Sequence, residues 1–127
     1  MRAVALLLTA TALAGCASEV VRSPAELSVA PSQDSRRYVV IKPASIMLDS
    51  GYERTINSGT EFIELGTIRQ GRVFKPANTT FTIEGAHMHE AYPVVNGERI
   101  VGFYLPVERA FSPLSTPTSL FTQERKP

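Results

Sequence analysis

The stretch Tyr92-Pro93-Val94-Val95-Asn96-Gly97-Glu98-Arg99-Ile100-Val101 predicts a β-hairpin. Asn96-Gly97 separates two short runs rich in β-branched residues, and Asn-Gly suits the type I′ turn, whose twist matches a two-residue hairpin. Pro93 has no N–H to donate, so we expect its strand to lie at an edge of the sheet or to bulge there. The predicted register pairs Val95 with Glu98, Pro93 with Ile100 and Tyr92 with Val101.

Short runs of the same kind surround this hairpin. Gly, Pro and Asn separate them, and they fall at residues 38–41, 45–48, 61–65, 72–74, 79–83, 92–95 and 99–105. Polar and apolar side chains alternate at residues 80–84, which predicts that Phe81 and Ile83 face the interior. The sequence therefore predicts one all-β domain at residues 38–111, a small antiparallel barrel or sandwich, with an SH3-like barrel as one form of it.

The first residues have the composition of an export signal. Arg2 precedes an apolar run at residues 3–13, which is shorter than the about 20 apolar residues of a spanning helix. Leu13-Ala14-Gly15-Cys16 then resembles the lipobox of bacterial lipoprotein precursors. The resemblance implies that residues 1–15 are a lipoprotein signal peptide and that Cys16 becomes the first mature residue. It also implies a diacylglycerol on the Cys16 thiol and usually an acyl chain, such as palmitate, on the new amino group.

This resemblance implies a membrane partner and a location in the cell envelope. Each buried methylene contributes about 0.8 kcal/mol, so two or three acyl chains on Cys16 would hold the protein firmly on a bilayer. Ala17 stands where an aspartate would resemble the inner-membrane retention signal. In a Gram-negative cell the resemblance therefore implies the outer membrane, with the domain facing the periplasm. Cys16 is the only cysteine, so no disulfide can form within the chain.

The segments on either side of the predicted domain differ from it in composition. Residues 16–37 are largely polar, and Pro24 and Pro31 interrupt any helix, so we expect a lipidated cysteine followed by a flexible tether. Residues 112–127 are rich in Ser, Thr and Pro, which predicts an extended or disordered tail. Within this tail, Leu120-Phe121 belongs either to a loose end or to a short docking segment.

The charge of the chain excludes some classes of partner. There are 13 lysine and arginine residues and 12 aspartate and glutamate residues, and loss of Arg2 with the leader makes the two equal. A nucleic-acid binder needs a basic stripe that displaces counterions from phosphates. We therefore expect no nucleic-acid partner and no attachment to anionic lipid by charge alone. We also expect no cofactor, because no sequence motif indicates one.

The stretch His87-Met88-His89-Glu90 contains the residues best suited to bind a metal. On a strand, His87 and His89 would point to one face, where two imidazoles could bind a transition metal. Met88 and Glu90 would point to the other face, and a zinc site needs three or four protein ligands. We therefore expect no metal site but a polar strand end that faces solvent, with His87 and His89 as the metal candidates.

Residues 100–107 are apolar at both odd and even positions. A strand with one solvent-exposed face should alternate apolar and polar side chains, so both faces of this strand are expected to pack against other residues. A central buried strand is one explanation, in which Gly102 permits a bulge or a close backbone approach. The other is a partner that docks there, with Phe103, Tyr104 and Phe111 as anchors, because aromatic residues dominate interface hot spots.

The sequence contains no arrangement typical of catalysis. Glu61 and Glu64 are close in sequence, but a glycosidase needs two carboxylates across a cleft, and solvated strand faces explain the same residues. Neither a nucleophile elbow nor a phosphate-binding glycine loop is present. We therefore expect a non-enzymatic envelope lipoprotein, a structural or accessory module that docks an envelope protein, for example in an envelope-spanning assembly. The alternative is a module that binds peptidoglycan or another ligand through an SH3-like barrel.

Overall fold

The computed structural model describes residues 19–31 and 36–125. Within these ranges every regular element is a β-strand, which confirms the predicted all-β class. No helix there is long and apolar enough to cross a membrane. The strands are β1 (Ser23–Pro24), β2 (Ser28–Val29), β3 (Arg37–Val40), β4 (Ala44–Met47), β5 (Glu53–Ile56), β6 (Glu61–Ile68), β7 (Gly71–Pro76), β8 (Thr82–Glu84), β9 (Met88–Glu90), β10 (Tyr92–Asn96), β11 (Arg99–Leu105), β12 (Ala110–Ser119) and β13 (Thr122–Arg125).

Nine of these strands form one antiparallel sheet. Its order is β1-β12-β11-β10-β7-β6-β3-β13, and β2 pairs with β6 outside this path. β12 and β13 lie near opposite ends of the order, although only Leu120 and Phe121 separate them along the chain. Three peptide steps span at most about 11 Å, whereas six strand spacings in a flat sheet would span about 29 Å. The sheet therefore curls strongly, but its order stays open, which is compatible with a sandwich and not with a closed barrel.

Two separate hairpins complete the described structure. β4 pairs with β5 and β8 pairs with β9, both antiparallel. Their side chains join those of the large sheet in one main hydrophobic core, which includes Ile46, Ile56, Phe62, Phe74, Ile83 and Phe103. Phe81 and Ile83 are 9% and 3% exposed, which confirms the inward direction predicted from the alternation at residues 80–84.

The predicted hairpin forms between β10 and β11, but its turn and register differ from the prediction. The loop consists of Gly97 and Glu98, so Asn96 is the last residue of β10. Gly97 has a φ of 65°, and glycine at the first loop position suits a type II′ turn rather than type I′. The observed pairs are Asn96 with Arg99, Val95 with Ile100 and, beyond a bulge, Tyr92 with Tyr104.

Pro93 lies in an interior strand, because β10 is flanked by β11 and β7. The ladder with β7 includes only Val94 and Val95, so it does not extend to Pro93. On the other side Pro93 pairs with Phe103, and the bulge lies further along the ladder, where Val101 of β11 is the extra residue between the pairs Val94–Gly102 and Val95–Ile100. Because the ladder to β7 ends before Pro93, a proline is accommodated here away from the sheet edge.

Residues 19–31 pack against the sheet, which corrects the prediction of a flexible tether for this part of residues 16–37. We call them the N-terminal arm. β1 pairs with the start of β12, β2 pairs with β6, and Val20 is buried in the main core. Ala25 and Leu27 of the arm cover a second hydrophobic cluster, which contains Ile68, Val73, Tyr92, Val94, Tyr104 and Phe111. Strands of two residues leave no alternation to recognise, so the sequence pattern could not indicate them.

The predicted tail at residues 112–127 is corrected as well, because residues 112–119 and 122–125 belong to the sheet. Leu114 and Leu120 are 6% and 3% exposed in the main core, and β13 pairs with β3. Beyond Phe111, β12 has a paired strand on one side only. Prolines are compatible with such an edge, which explains how Pro113 and Pro117 fit into a strand.

Candidate functional site

The three aromatic residues that the sequence proposed as partner-binding anchors are buried. Phe103, Tyr104 and Phe111 are 1%, 5% and 6% exposed. Phe103 lies in the main core, where its ring stacks on Phe81 with centroids 5.8 Å apart. Tyr104 and Phe111 lie in the second cluster, against which the N-terminal arm packs. The chain itself therefore covers both faces of β11, which corrects the expectation of a docking surface at these residues.

Four side chains from three parts of the chain meet beside the turn between β11 and β12. They are Glu19, His87, His89 and Glu108, and we call them the Glu19 clamp. His87 Nδ1 donates to Glu19 Oε2 over 3.1 Å. His89 Nδ1 donates to Glu108 Oε1 over 2.5 Å, and His89 Nε2 lies 3.6 Å from Glu19 Oε1. One carboxylate of the N-terminal arm thus faces both histidines of the chain.

Local structure explains why these side chains converge. Side chains alternate along β9, so His89 is 7% exposed whereas Met88 is 67% exposed. His87 precedes β9 and is exposed, yet it reaches the same carboxylate as His89. Glu108 lies in the β11–β12 turn beside Arg109, which has a left-handed φ of 53°. Pairing of β1 with the start of β12 brings the arm next to this turn.

Both carboxylates of the clamp are stabilised in their charged form. The hydrogen bond from His87 has the largest effect on Glu19 and lowers the pKa of its carboxyl, against a smaller rise from burial. Burial has the largest single effect on Glu108 and would raise its pKa. Hydrogen bonds from His89 and from the Glu108 backbone, with the charges of His89 and Arg22, together outweigh burial and lower that pKa.

The geometry of the clamp suits ion pairing. A carboxylate faces His89 Nε2, whereas nucleophilic catalysis would need a hydroxyl or thiol at that position. Across residues 19–31 and 36–125, no group of three or more His, Cys, Asp or Glu side chains is placed to hold a metal ion. The metal candidates His87 and His89 therefore belong to no such group in the described residues. The clamp therefore links the N-terminal arm to the β9 region through Glu19, and the β11–β12 turn to β9 through Glu108. Cys16, the predicted lipidation site, lies outside the described residues.

A second surface surrounds Phe121, in the link between β12 and β13. Phe121 and Ile41 are 43% and 50% exposed, and with Arg72 they line a cavity of about 330 Å³. The Ile41 amide donates to the Phe121 carbonyl over 2.9 Å. Lys42 Nζ lies 5.1 Å from the centre of the Phe121 ring, within the range of a cation–π contact. We call the surface formed by Ile41, Lys42, Arg72 and Phe121 the Phe121 groove.

Sequence reasoning identified only part of these two surfaces. The spacing of His87 and His89 indicated a shared face, but their carboxylate partners lie 68 and 19 positions away, at Glu19 and Glu108. No local sequence pattern indicates contacts between residues so far apart along the chain. Phe121 carried a usable signal, because it follows an apolar residue in a polar segment, and the sequence left it between a loose end and a docking segment.

No protein-family model matches this chain, and neither a curated protein nor a solved structure matches it.

Proposed function

We propose that this protein is a non-enzymatic lipoprotein of the bacterial cell envelope, anchored by lipid on Cys16, that docks another envelope protein as an accessory module. The apolar leader and the lipobox resemblance at residues 13–16 support the anchor. In a Gram-negative cell, Ala17 favours the outer membrane, with the domain facing the periplasm. The exposed ring of Phe121 is the observation that carries the docking part of the proposal.

Phe121 is unusual among the aromatic residues of the chain. Of the six phenylalanines and four tyrosines, only Phe121 and Tyr52 are exposed, at 43% and 41%. Phe121 also lies beside the exposed aliphatic residue Ile41 and under the Lys42 ammonium group. Aromatic residues and arginine are enriched at protein interfaces, and Phe121 and Arg72 border the same cavity.

The charges around the groove define the chemistry of the partner. Lys42 makes no ion pair with any described residue, whereas Arg72 already pairs with Glu64 over 3.4 Å. A carboxylate next to an apolar side chain would pair with Lys42 while its neighbour covers Phe121 and Ile41. The partner is therefore a segment of an envelope protein that presents an aliphatic or aromatic side chain beside an aspartate or glutamate.

The groove and the Glu19 clamp lie at opposite ends of β11. The β10–β11 turn at Gly97 and Glu98 borders the groove, and the β11–β12 turn carries Glu108 of the clamp. β11 runs from Arg99 to Leu105, so the two turns are roughly 20 Å apart at the usual rise of a strand. A domain anchored at its N-terminal end can therefore present the groove to a partner.

Crosslinking followed by affinity measurement tests the docking proposal. A photoreactive residue in place of Phe121 in the lipidated protein forms a crosslink, in intact membranes, to the protein that contacts the groove. Binding of that protein is then measured with single variants. Phe121→Ala should weaken binding about 30-fold or more, the equivalent of a hot spot of 2 kcal/mol. Tyr52→Ala is the matched control, because Tyr52 is similarly exposed, and it should leave binding unchanged.

Charge reversal supplies a second comparison. Lys42→Glu should weaken binding, whereas Lys75→Glu, at an exposed lysine outside the groove, should not. A partner bound equally well by the Phe121→Ala variant would contradict the proposal. Sedimentation with insoluble peptidoglycan tests the alternative function: pelleting that Phe121→Ala abolishes would assign the groove to glycan and overturn protein docking.

A further inference from the structure

We infer that the domain lies directly on the lipid surface, with the Glu19 clamp and the exposed apolar residues Val21, Met88 and Val107 facing the bilayer. The Phe121 groove then faces away from it. This inference rests on the proposed lipid anchor at Cys16, and it adds a fixed orientation and a lipid-contacting face to that anchor.

Only a short stretch of chain separates the anchor from the folded domain. Cys16 precedes Glu19 by three residues, and three residues span at most about 11 Å. A flexible tether over residues 16–37 would have an average length of roughly 25 Å. The headgroup layer of one leaflet is about 5–8 Å thick. A lipid on Cys16 therefore holds Glu19 close to the headgroups.

The N-terminal arm is attached to the domain from its first described residue. Glu19 contacts both histidines, Val20 is 7% exposed in the main core, and β1 follows directly. A domain of this size is about 30 Å across. A link of at most about 11 Å lets only the surface near Glu19 reach the bilayer.

The most exposed apolar side chains lie close to the Glu19 clamp along the chain. Val107, Val21 and Met88 are 77%, 70% and 67% exposed, the highest values among the large hydrophobic residues that the structure describes. Val21 follows Glu19 by two positions, Met88 lies between the two histidines, and Val107 precedes Glu108. Each backbone position is thus within about 8 Å of a clamp residue. Such side chains gain free energy by leaving water, and the bilayer is the apolar phase within reach of Cys16.

A lipid surface explains this combination better than a protein partner does. A partner protein or a second copy of the chain could bind at any distance from Cys16. The bilayer can contact only the surface that the three-residue link reaches, and the exposed apolar residues lie on chain segments at that surface. After loss of Arg2 the chain carries equal numbers of basic and acidic residues, so its net charge does not draw it to anionic headgroups.

A fluorescent probe on a single introduced cysteine tests the orientation. Lipid blocks the Cys16 thiol, and the chain has no other cysteine, so each variant carries one reactive thiol. The lipidated protein with Val107→Cys or Glu98→Cys is reconstituted into phosphatidylcholine vesicles with brominated acyl chains. Both positions are exposed and lie in the turns at opposite ends of β11. The brominated lipid should quench the probe at residue 107 and leave the probe at residue 98 unquenched.

Other occupants and orientations give different results. Equal quenching at the two positions, or stronger quenching at residue 98, would overturn the inference. Loss of emission at residue 107 in vesicles without bromine, growing with the protein-to-lipid ratio, would assign this face to a second copy and would also overturn it. A Gly/Ser linker of about twelve residues between Ala17 and Ser18 extends the reach to roughly 20 Å and should reduce quenching at residue 107. The same linker after Pro127 should not, and unchanged quenching with the first linker would refute a short anchor.

A separate measurement distinguishes this inference from the proposed function. Mass spectrometry of the Cys16 peptide and membrane retention of Cys16→Ser test the anchor itself. An unmodified Cys16 in membrane-bound protein would defeat the proposed function and, with it, the orientation. A lipidated Cys16 with equal quenching at both probe positions would defeat the orientation alone.

Discussion

His89 and Ser112 are the buried polar side chains in the described part of the chain. His89 lies between two carboxylates, with Glu108 at 2.5 Å from Nδ1 and Glu19 at 3.6 Å from Nε2. A buried imidazole without such neighbours would lose its hydrogen bonds to water without replacement. Glu108 supplies one such replacement at Nδ1, whereas Nε2 has no hydrogen-bond partner among the described residues and Glu19 only faces it. Through these contacts His89 connects the N-terminal arm and the β11–β12 turn to β9.

Glu108→Gln tests this arrangement through its pH dependence. The variant should lower the free energy of unfolding by about 1 kcal/mol at neutral pH, because it removes the charge that accepts the hydrogen bond from His89. The pKa of Glu108 is lowered from its ordinary value of 4.5 in the folded protein. Its contribution is therefore present above about that pH and is lost as the pH falls through the folded pKa. Urea unfolding measured from acidic to neutral pH should show a lower free energy of unfolding for the variant than for the wild type at neutral pH, and this difference should disappear at acidic pH.

Glu98→Gln is the matched control for Glu108→Gln. Glu98 is exposed in the β10–β11 turn, and its side chain pairs with no described cation, so its variant should unfold like the wild type at every pH. A Glu108→Gln variant with the same constant offset at all pH values would show that the charge of Glu108 does not stabilise the fold.

Tyr104→Ala distinguishes a core residue from a binding anchor. Tyr104 is 5% exposed and packs against Tyr92, with ring centroids 6.4 Å apart. Truncation should therefore lower the free energy of unfolding by about 3–5 kcal/mol, as for other large aromatic residues in cores. Tyr52→Ala, at an exposed tyrosine, should change it by less than about 0.5 kcal/mol. Similar urea midpoints for the two variants would show that Tyr104 does not stabilise the core.

At the scale of elements, the N-terminal arm depends on a glycine in its neighbouring strand. A Cβ at Gly66 of β6 would overlap the carbonyl oxygen of Ser28 in β2. The same kind of close approach occurs at Gly102, where a Cβ would overlap the ring of Phe111 and the carbonyl oxygen of Ser112. Glycine allows a backbone or a ring to lie directly on the strand at both positions.

Gly66→Ala is expected to push β2 away from β6. The added methyl group should lower the free energy of unfolding by about 1–3 kcal/mol, the range for overpacking. The Ala30 amide donates to the Leu65 carbonyl over 2.9 Å, so its hydrogen exchange should become faster in the variant. Thr67→Ala, at the adjacent exposed position, should leave this exchange unchanged. Unaltered exchange in Gly66→Ala would mean that the arm does not require this close contact.

At the scale of the whole molecule, the fold has two apolar clusters, and different parts of the chain pack against each of them. The large sheet and the two hairpins share the main core, whereas the arm covers the second cluster on the sheet. The same arm carries Glu19 of the clamp and follows the proposed anchor by three residues. One segment of the chain thus completes the hydrophobic interior and, in our proposal, sets the distance to the membrane.

Removal of residues 19–31 from the leaderless chain should uncover the second cluster. Tyr92, Tyr104 and Phe111 would then form an exposed apolar patch, and such patches promote association. We expect dye binding and concentration-dependent oligomers in analytical ultracentrifugation, with the circular dichroism of a β-sheet retained. The leaderless chain with the arm intact should remain monomeric. A shortened chain that is also monomeric and binds no dye would show that the arm is not needed as a cover.

By itself the sequence determined the all-β class and the positions of most central strands, because β-branched runs and turn residues act locally. It located the hairpin at residues 92–101 but not its register, since Val101 is an extra residue of β11 and the pairing of β11 with both β10 and β12 shifts there. The lipobox at Cys16 stays a prediction from the sequence alone. Only the tertiary structure decided what covers the second face of β11, because that cover comes from Ala25 and Leu27, far away in the chain. The same applies to the Glu19 clamp: contacts between residues 68 positions apart depend on the whole fold, and no local pattern encodes them.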